Sequence, residues 1–455
     1  MAVPEALDTH HKALTINLEA SIFGSFAEIG AGQEVARWFL KVGAASGTVA
    51  KTISAYDKEV SDDIYGTGSR YVSQERLEAM LDHEWSELVT QLESTRGSQT
   101  RFFSFVNTIA ARNFAGTNYA NGWVGLRFRA DLAGPPNDII LHISLLDPTN
   151  LQQQDAVGIL GVNLIFAAYH ERSDPSTFLK GLAQFVAPNH LEIDYIDVRG
   201  PVFDNLPEWS DDALHALLVL EDLSEAVVFT ADKTLLAPAD LFHKKSVVLA
   251  PGQFEHMEHY HSDMLAKAID ALAHEPDNGG NQVLGLFCLS SVPSTASAEK
   301  HTVEQVLEHL QAFRASGYGA MLIRDRELYQ MSAFVQRYSS LPIRFVVGIS
   351  VLIRVFNDTY ETNLGSRIEA IGRMFSQKVS VYAYPMPEPM LLDWLAKHSI
   401  SGWEWTTVNG WVTAENLRAA PPEKFLYEYV KACNMLLPLH DPAPQTTTSS
   451  TTSAG

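Results

Sequence analysis

FAEIGAGQEVARWF (residues 26–39) runs from an apolar lead-in through an acid and two glycines into an amphipathic stretch. Val35, Phe39 and Val42 fall on one helical face with Trp38 beside them, so the spacing predicts a helix over 33–43. An extended entry that turns through glycine into a helix is the building unit of an α/β protein. The chain keeps that rhythm. Past residue 150, helix-patterned segments at 150–169, 175–187, 262–274, 302–316, 326–338 and 361–376 alternate with apolar runs. The runs are LEIDYIDV (191–198), AVVFT (226–230), KSVVLAP (245–251), QVLGLFCLS (282–290), GAMLIRD (319–325), IRFVVGIS (343–350) and KVSVYAYP (378–385). Near-continuous apolar strands are buried on both faces, which predicts a largely parallel sheet.

Two features modify this α/β expectation. VGLRFRADL turns through AGPPND into IILHISLLD, an antiparallel hairpin near 123–147. The N-terminal region is more helical: a polar lead over 5–20, then QERLEAMLDHEWSELVTQLE, with Ser73 as its N-cap. The expected division is 1–205 and 206–440, two α/β regions with a seam at RGPVFDNLPEWSDD (199–212). The Thr/Ser-rich tail, 441–455, has nothing to bury and reads as disordered.

Composition bounds the partners. Against 54 acids stand 33 bases, a formal charge of −21. Nucleic-acid binding draws its affinity from cations that displace counterions, and anionic membranes attract the same charges, so neither partner is expected. A small-molecule ligand is. The two cysteines, Cys288 and Cys433, lie in apolar surroundings and make no disulfide or zinc framework. No run reaches the length of a membrane span, and MAVPEALDTHHKALTINLEA lacks the pattern of a secretory signal, so a cytoplasmic location is expected.

Four stretches carry chemistry. In the first, Glu28, Gly30, Ala31 and Gly32 resemble the first motif of class I methyltransferases and, less closely, the Gly-x-Gly-x-x-Gly dinucleotide fingerprint. Glycine lets a cofactor approach the backbone, and the free amides of a helix start attract negative charge. The third glycine is missing, with Arg37 and Trp38 near its place; Asp57, ending VAKTISAYD, is placed to hold ribose hydroxyls. The resemblance implies a nucleotide-type cofactor, S-adenosylmethionine or NAD-like, and group transfer. A tight turn in a packed core is the competing reading. The second stretch, YDKEVSDDIYGTGSRYVSQER, places Asp62, Asp63 and Tyr65 as candidate catalytic groups and Arg70 as an anion clamp. Its competing reading is a solvated turn of paired charges.

The third, NTIAARNFAGTNYANGW, offers Arg112 and Asn113 to a base, sugar or anionic group, or simply supplies turn geometry. The fourth, FEHMEHYHSDM, gathers His256, His259, His261 and Asp263, a candidate divalent-metal set and the basis of an alternative metal-dependent enzyme. Strand-end groups Asp147, Asp197, Arg199, Arg324 and Asp325 fit the rule that ligands gather at carboxyl ends of strands, with Gln152, Gln153, Gln154 and Asn163 following Asp147. A further alternative is a non-enzymatic binding protein or homo-oligomer that uses the aromatic density of Trp38, Phe102, Phe103 and Trp123.

FAEIGAGQEVARWF, GTVAKTISAYDKEVSDDIYG, LLDPTNLQQQDAVGILGVNLIFAAYH and IEAIGRMFSQKVSVYAYP together resemble a bacterial protein family of similar length. Its members carry conflicting labels, nicotinamide-nucleotide adenylyltransferase and TonB-dependent receptor. The residues support neither label: HMEHYH does not match a HxGH phosphate motif, and no many-stranded outer-membrane pattern is present. What the resemblance implies is a bacterial cytosolic protein.

Overall fold

The computed structural model describes residues 7–254, 256–292, 299–357, 364–375 and 378–439. By internal packing the chain forms two compact units interleaved in sequence, Met1–Leu241 with Ser290–Asp325, and Phe242–Leu289 with Arg326–Gly455. Residues 199–212 lie inside the first.

The first unit begins α1 (Thr9–Leu18), β1 (Ile22–Ile29), α2 (Glu34–Lys41), β2 (Val49–Ile53), α3 (Lys58–Tyr65) and α4 (Gln74–Arg96). It continues β3 (Arg101–Ala110), β4 (Asn121–Arg129), β5 (Pro136–Leu145), α5 (Asn150–His170), α6 (Pro175–Ala183) and β6 (Leu191–Arg199). These six strands form one sheet in the order β2–β1–β3–β4–β5–β6. β1 pairs parallel with β2 and β3, whereas β3–β4, β4–β5 and β5–β6 are antiparallel. This sheet is therefore mixed, parallel from β2 to β3 and antiparallel from β3 to β6. Antiparallel neighbours need only a loop, and the connections after β3 and β4 are loops, whereas parallel neighbours need a crossover. The hairpin expected near 123–147 is β4 with β5.

On one face α4 packs Leu77, Met80 and Leu81 over Ala27, Val106, Trp123, Ile140 and Tyr195. The other face lies under α2, whose Phe39 ring meets Phe26 at 5.2 Å, and α5. From Ala156 on, α5 is buried on nearly all sides, so that part of its sequence is almost entirely apolar instead of striped. α1 is tied to this layer by Lys12, whose buried ammonium donates to Asn163 Oδ1 (3.0 Å) and the Gly181 carbonyl (3.3 Å); burial lowers its proton affinity. Since β1, β2, β3 and β5 run the same way, their carboxyl ends share one edge with the starts of β4 and β6. Residues 226–229 and 319–323 add an antiparallel pair to the unit.

In the second unit the strands Leu436–Pro438, Val379–Tyr384, Ile343–Gly348, Lys245–Pro251 and Gln282–Ser290 lie side by side in that order. All four pairings are parallel, as the apolar runs imply. IRFVVGIS is a strand only to Gly348, after which Ile349–Phe356 is helical. The helix expected over 361–376 spans Arg367–Met374, and residues 361–363 and 376 lie outside the described residues, as does the 441–455 tail. Small antiparallel pairs, Met386–Pro387 with Trp411–Val412 and Trp403–Trp405 with Leu417–Ala419, have no counterpart in the sequence reading. The fold is mixed α/β. Among the described residues, no helix is long and apolar enough to cross a membrane.

Candidate functional site

The glycine turn that follows β1 is built against its neighbours. Gly30 has φ +96°, and a Cβ there would lie 1.9 Å from the Ile109 carbonyl oxygen on β3. Ala31 is buried; Gly32, at φ +72°, has Gln154 as its nearest neighbour at 3.7 Å. Glu28 is fully buried and points at the start of α2. Its Oε1 accepts the Ala36 amide (2.9 Å), and its Oε2 accepts the Val35 amide (3.2 Å) and Asn107 Nδ2 (3.2 Å). The amides expected to receive a phosphate are thus capped by a carboxyl group of the chain itself. A shallow open depression of about 420 Å³ lies on the outer side of α2, lined by Gln33, Glu34, Arg37, Leu40 and Lys41. Residues 30–32 do not line it.

Burial pushes the Glu28 carboxyl up to about 7, against the two amides and Asn107, which pull it down; Glu34 adds repulsion. The native state therefore keeps a proton that the unfolded chain releases near 4.5. The resulting stabilisation is complete below that value and lost as pH rises through 7, a change of about 3 kcal/mol. Urea midpoints of wild type and Glu28→Gln should diverge in slope between about pH 5 and 8. Identical slopes would place the titration elsewhere.

The other sequence candidates are mostly engaged locally. Asp57 caps α3, accepting the Glu59 (2.9 Å) and Val60 (3.2 Å) amides. Asp62 accepts the Tyr71 hydroxyl (2.9 Å), and Asp63 is exposed. Tyr65 is in the core and donates to buried Glu84 (2.9 Å), and burial followed by the Glu84 charge raises its pKa. Asp62, Asp63 and Tyr65 therefore form no common centre. Exposed Arg70 pairs with Asp240 (2.6 Å). Arg112 folds onto the Gly116 carbonyl (3.2 Å) and Asn113 bonds Thr117 (3.0 Å), so both serve the geometry of their own loop. Phe102, Phe103 and Trp123, offered as an interface, are core residues.

The 256–263 cluster does not converge. His261 Nδ1 accepts the Glu258 amide (3.0 Å), so Glu258 caps the helix His259–His274. Asp263 accepts from Lys267 (2.7 Å) and Tyr384 (2.5 Å); these hold it below the usual carboxylate range although burial pulls the other way. Among the described residues, two other groups bring three ligand atoms within 4.8 Å of one another: Asp8/His10/His11, all exposed, and His83/Glu84/Glu87. In the second, Lys51 already sits on Glu84 (2.7 Å) and Glu87.

At the carboxyl edge of β5 stands Asp147, one of the strand-end groups named from the sequence, together with His190, which the sequence reading missed. There, His190 Nδ1 lies 3.0 and 3.1 Å from the two oxygens of Asp147. The Asp147 side chain is 7% exposed and that of His190 49%. Both ends are pinned: the Leu146 amide donates to the His190 carbonyl (3.0 Å), and Gln153 Nε2 donates to the Asp147 carbonyl (2.9 Å). Gln153 Oε1 also takes the Arg112 amide (2.8 Å), joining the exit of β3 to the same point. A carboxylate on one ring nitrogen of a half-exposed imidazole is the arrangement that orients a proton-transferring histidine.

A second pair lies deeper on the α4 face. The β5–β6 register shifts between His142 and Ile143, a bulge opposite Asp194. Bulges re-aim side chains. Here Asp194 Oδ1 meets His142 Nδ1 (2.5 Å), and Oδ2 accepts the Ser144 hydroxyl (2.7 Å). Tyr119 bonds Ser144, while Asn121 Oδ1 lies 3.2 Å from His142 Nε2. His142, Ser144 and Asp194 are each no more than 1% exposed. The serine serves the aspartate and not the histidine, so no serine-nucleophile triad is formed. The sequence signal was present: His142 and Ser144 are polar at a spacing of two inside an apolar strand, which puts both on one face.

No family model and no curated protein matches the chain. Among solved structures, it is similar to the competence/damage-inducible protein CihA from Agrobacterium tumefaciens, at 16% identity and a TM-score of 0.27, over 37% of this chain and 99% of that one. A competence or damage-inducible protein from Enterobacter asburiae gives 13% and 0.26, over 36% and 99%. A CinA superfamily protein from Escherichia coli gives 12% and 0.25, over 37% and 92%. Likenesses at this level bear on neither activity nor site.

Proposed function

We propose that the chain is an enzyme that moves protons on a small molecule bound at the carboxyl edge of its first sheet, with His190 as acid–base group and Asp147 as its positioning partner. One observation carries this: a half-exposed imidazole whose Nδ1 is held between both oxygens of a buried carboxylate. A nucleotide-type ligand is the class that fits the rim. Exposed Tyr56 and Phe114 stand beyond the carboxyl ends of β2 and β3, on either side of β1, where a base can stack. Proton transfer accompanies many group-transfer reactions, so S-adenosylmethionine remains among the ligands to try.

The test is a thermal-shift panel of S-adenosylmethionine, NAD, nicotinamide mononucleotide and ATP, run with diethyl pyrocarbonate labelling of histidines. A ligand at about a hundred times its Kd adds roughly 2.7 kcal/mol of stability. The expected result is one ligand that shifts the melting temperature and shields His190 from modification. The shielding should disappear in Asp147→Asn, in which the ring loses its charged anchor. Free modification of His190 in the presence of every ligand in the panel would overturn the reading.

A further inference from the structure

His301 and His309 belong to the first unit, one just before and one within the helix Val303–Ala315. The backbone fixes where both rings start. The His301 amide donates to the Ser291 carbonyl (2.8 Å), and Thr302 and Gln305 close a capping box directly after it, with the Thr302 amide on Gln305 Oε1 (2.9 Å). His309 is anchored through one ring nitrogen: its Nδ1 donates to the Gln305 carbonyl (2.7 Å). A carbonyl can only accept, so Nδ1 carries the proton and Nε2 keeps a lone pair.

The His301 ring has no such anchor. Among the described residues, neither of its nitrogens has a hydrogen-bond partner, and neither reaches solvent. A neutral imidazole has a donor and an acceptor to satisfy, and buried polar groups are nearly always satisfied. Burial, then the neighbouring His309, lowers the proton affinity of this ring against a smaller opposing influence of Gln305, so it is neutral at neutral pH. Two uncharged imidazoles with free lone pairs therefore stand side by side.

Their centroids are 5.4 Å apart with the planes at 63°. An edge-to-face contact gives that spacing too, but it has no use for dry nitrogens. A shared metal does. Two imidazoles on one tetrahedral ion, each nitrogen about 2.0–2.1 Å from it, have centroids roughly 5.3 Å apart. A backbone carbonyl on the second nitrogen, as on His309, is also what orients a ligating histidine. Each residue as a whole is partly exposed, so an ion reaches the pair from the surface. Glu304 and Glu308, exposed on the same helix, and the chain's charge of −21 draw cations toward it.

We propose that His301 and His309 form a binding site for a zinc-type divalent ion, with His309 Nε2 and one nitrogen of His301 as ligands and water completing the coordination. Imidazoles suit zinc, copper and nickel, whereas magnesium and calcium take oxygen ligands. The site uses neither residue of the Asp147–His190 pair, so it is tested independently of the proton-transfer role.

The experiment titrates zinc into the full, metal-free chain without a histidine tag, followed by calorimetry and by proton–nitrogen correlation spectra of the imidazoles. Zinc should raise the melting temperature and shift His309 Nε2 and one His301 nitrogen, while magnesium does neither. His301→Phe and His309→Phe keep a ring contact and should each weaken zinc by about tenfold or more. Without metal, His301→Phe should melt at or above the wild-type temperature, because it removes an unsatisfied buried ring. The double variant His10→Ala/His83→Ala, in the other histidine–acid groups, should bind zinc as the wild type does. No uptake of zinc, unmoved signals of both imidazoles, equal affinity in both phenylalanine variants, or a loss confined to His10→Ala/His83→Ala each overturns the site. If a phenylalanine variant unfolds, the spectra of the wild type decide.

Discussion

Gly30→Ala is expected to cost at least about 4 kcal/mol, enough to unfold much of the first unit in mild urea. Two penalties act together. At φ +96° the backbone disfavours any side chain, by roughly 1–2 kcal/mol. The added carbon would also stand 1.9 Å from the Ile109 carbonyl oxygen and 2.9 Å from its carbon, and these belong to the central strand β3, which has no room to retreat. Gly32→Ala makes the control. Its φ of +72° carries the first penalty, but the nearest atom is Gln154 Oε1 at 3.7 Å, so about 1 kcal/mol is expected. Urea unfolding followed by tryptophan fluorescence measures both. Equal costs would show that backbone conformation alone requires these glycines. A mild Gly30→Ala that lost ligand binding would restore the cofactor-cradle reading of the turn.

Asp194→Ala is expected to destabilise the first unit by about 3–5 kcal/mol, because it takes the acceptor away from buried polar groups and leaves a void in the sheet face. The loss strands His142 Nδ1 where water does not reach and leaves the Ser144 hydroxyl with Tyr119 in place of its two partners. Asp194→Asn, which keeps the shape and one acceptor, should cost less than half as much. Because the cost is mostly that of orphaned partners, the double variant Asp194→Ala/His142→Ala should fall short of the summed single effects by about 1–3 kcal/mol. Strict additivity would mean that the bulge-aimed contact contributes nothing to stability.

The local grammar of the chain was legible. Ser73 accepts the Arg76 amide and starts α4, as its position before an amphipathic run implies. Asp57 was legible as a short polar side chain ahead of a helix, and its Oδ1 serves the Glu59 and Val60 amides. The motif-like stretches are ambiguous for a common reason. Glycines that admit a ligand and glycines that admit a neighbouring strand have the same letters. The acid of FAEIGAG is equally ambiguous, since a carboxylate suits a helix start whether or not a cofactor lies there.

What the sequence determined by itself is therefore what depends on neighbours within a few residues. It set the alternation of helix and strand, the β4–β5 hairpin, the helix caps and the all-apolar runs of the second unit's parallel sheet. Only the tertiary structure decided which way β3 and β6 run against that hairpin, that Glu28 closes the start of α2, and that Asp147 meets His190 across 43 positions. The bulge that turns Asp194 toward His142 belongs to the same class. Hydrogen bonds of this kind join groups far apart in the chain, and their partners are selected by strand order and register, which no local pattern of residues encodes.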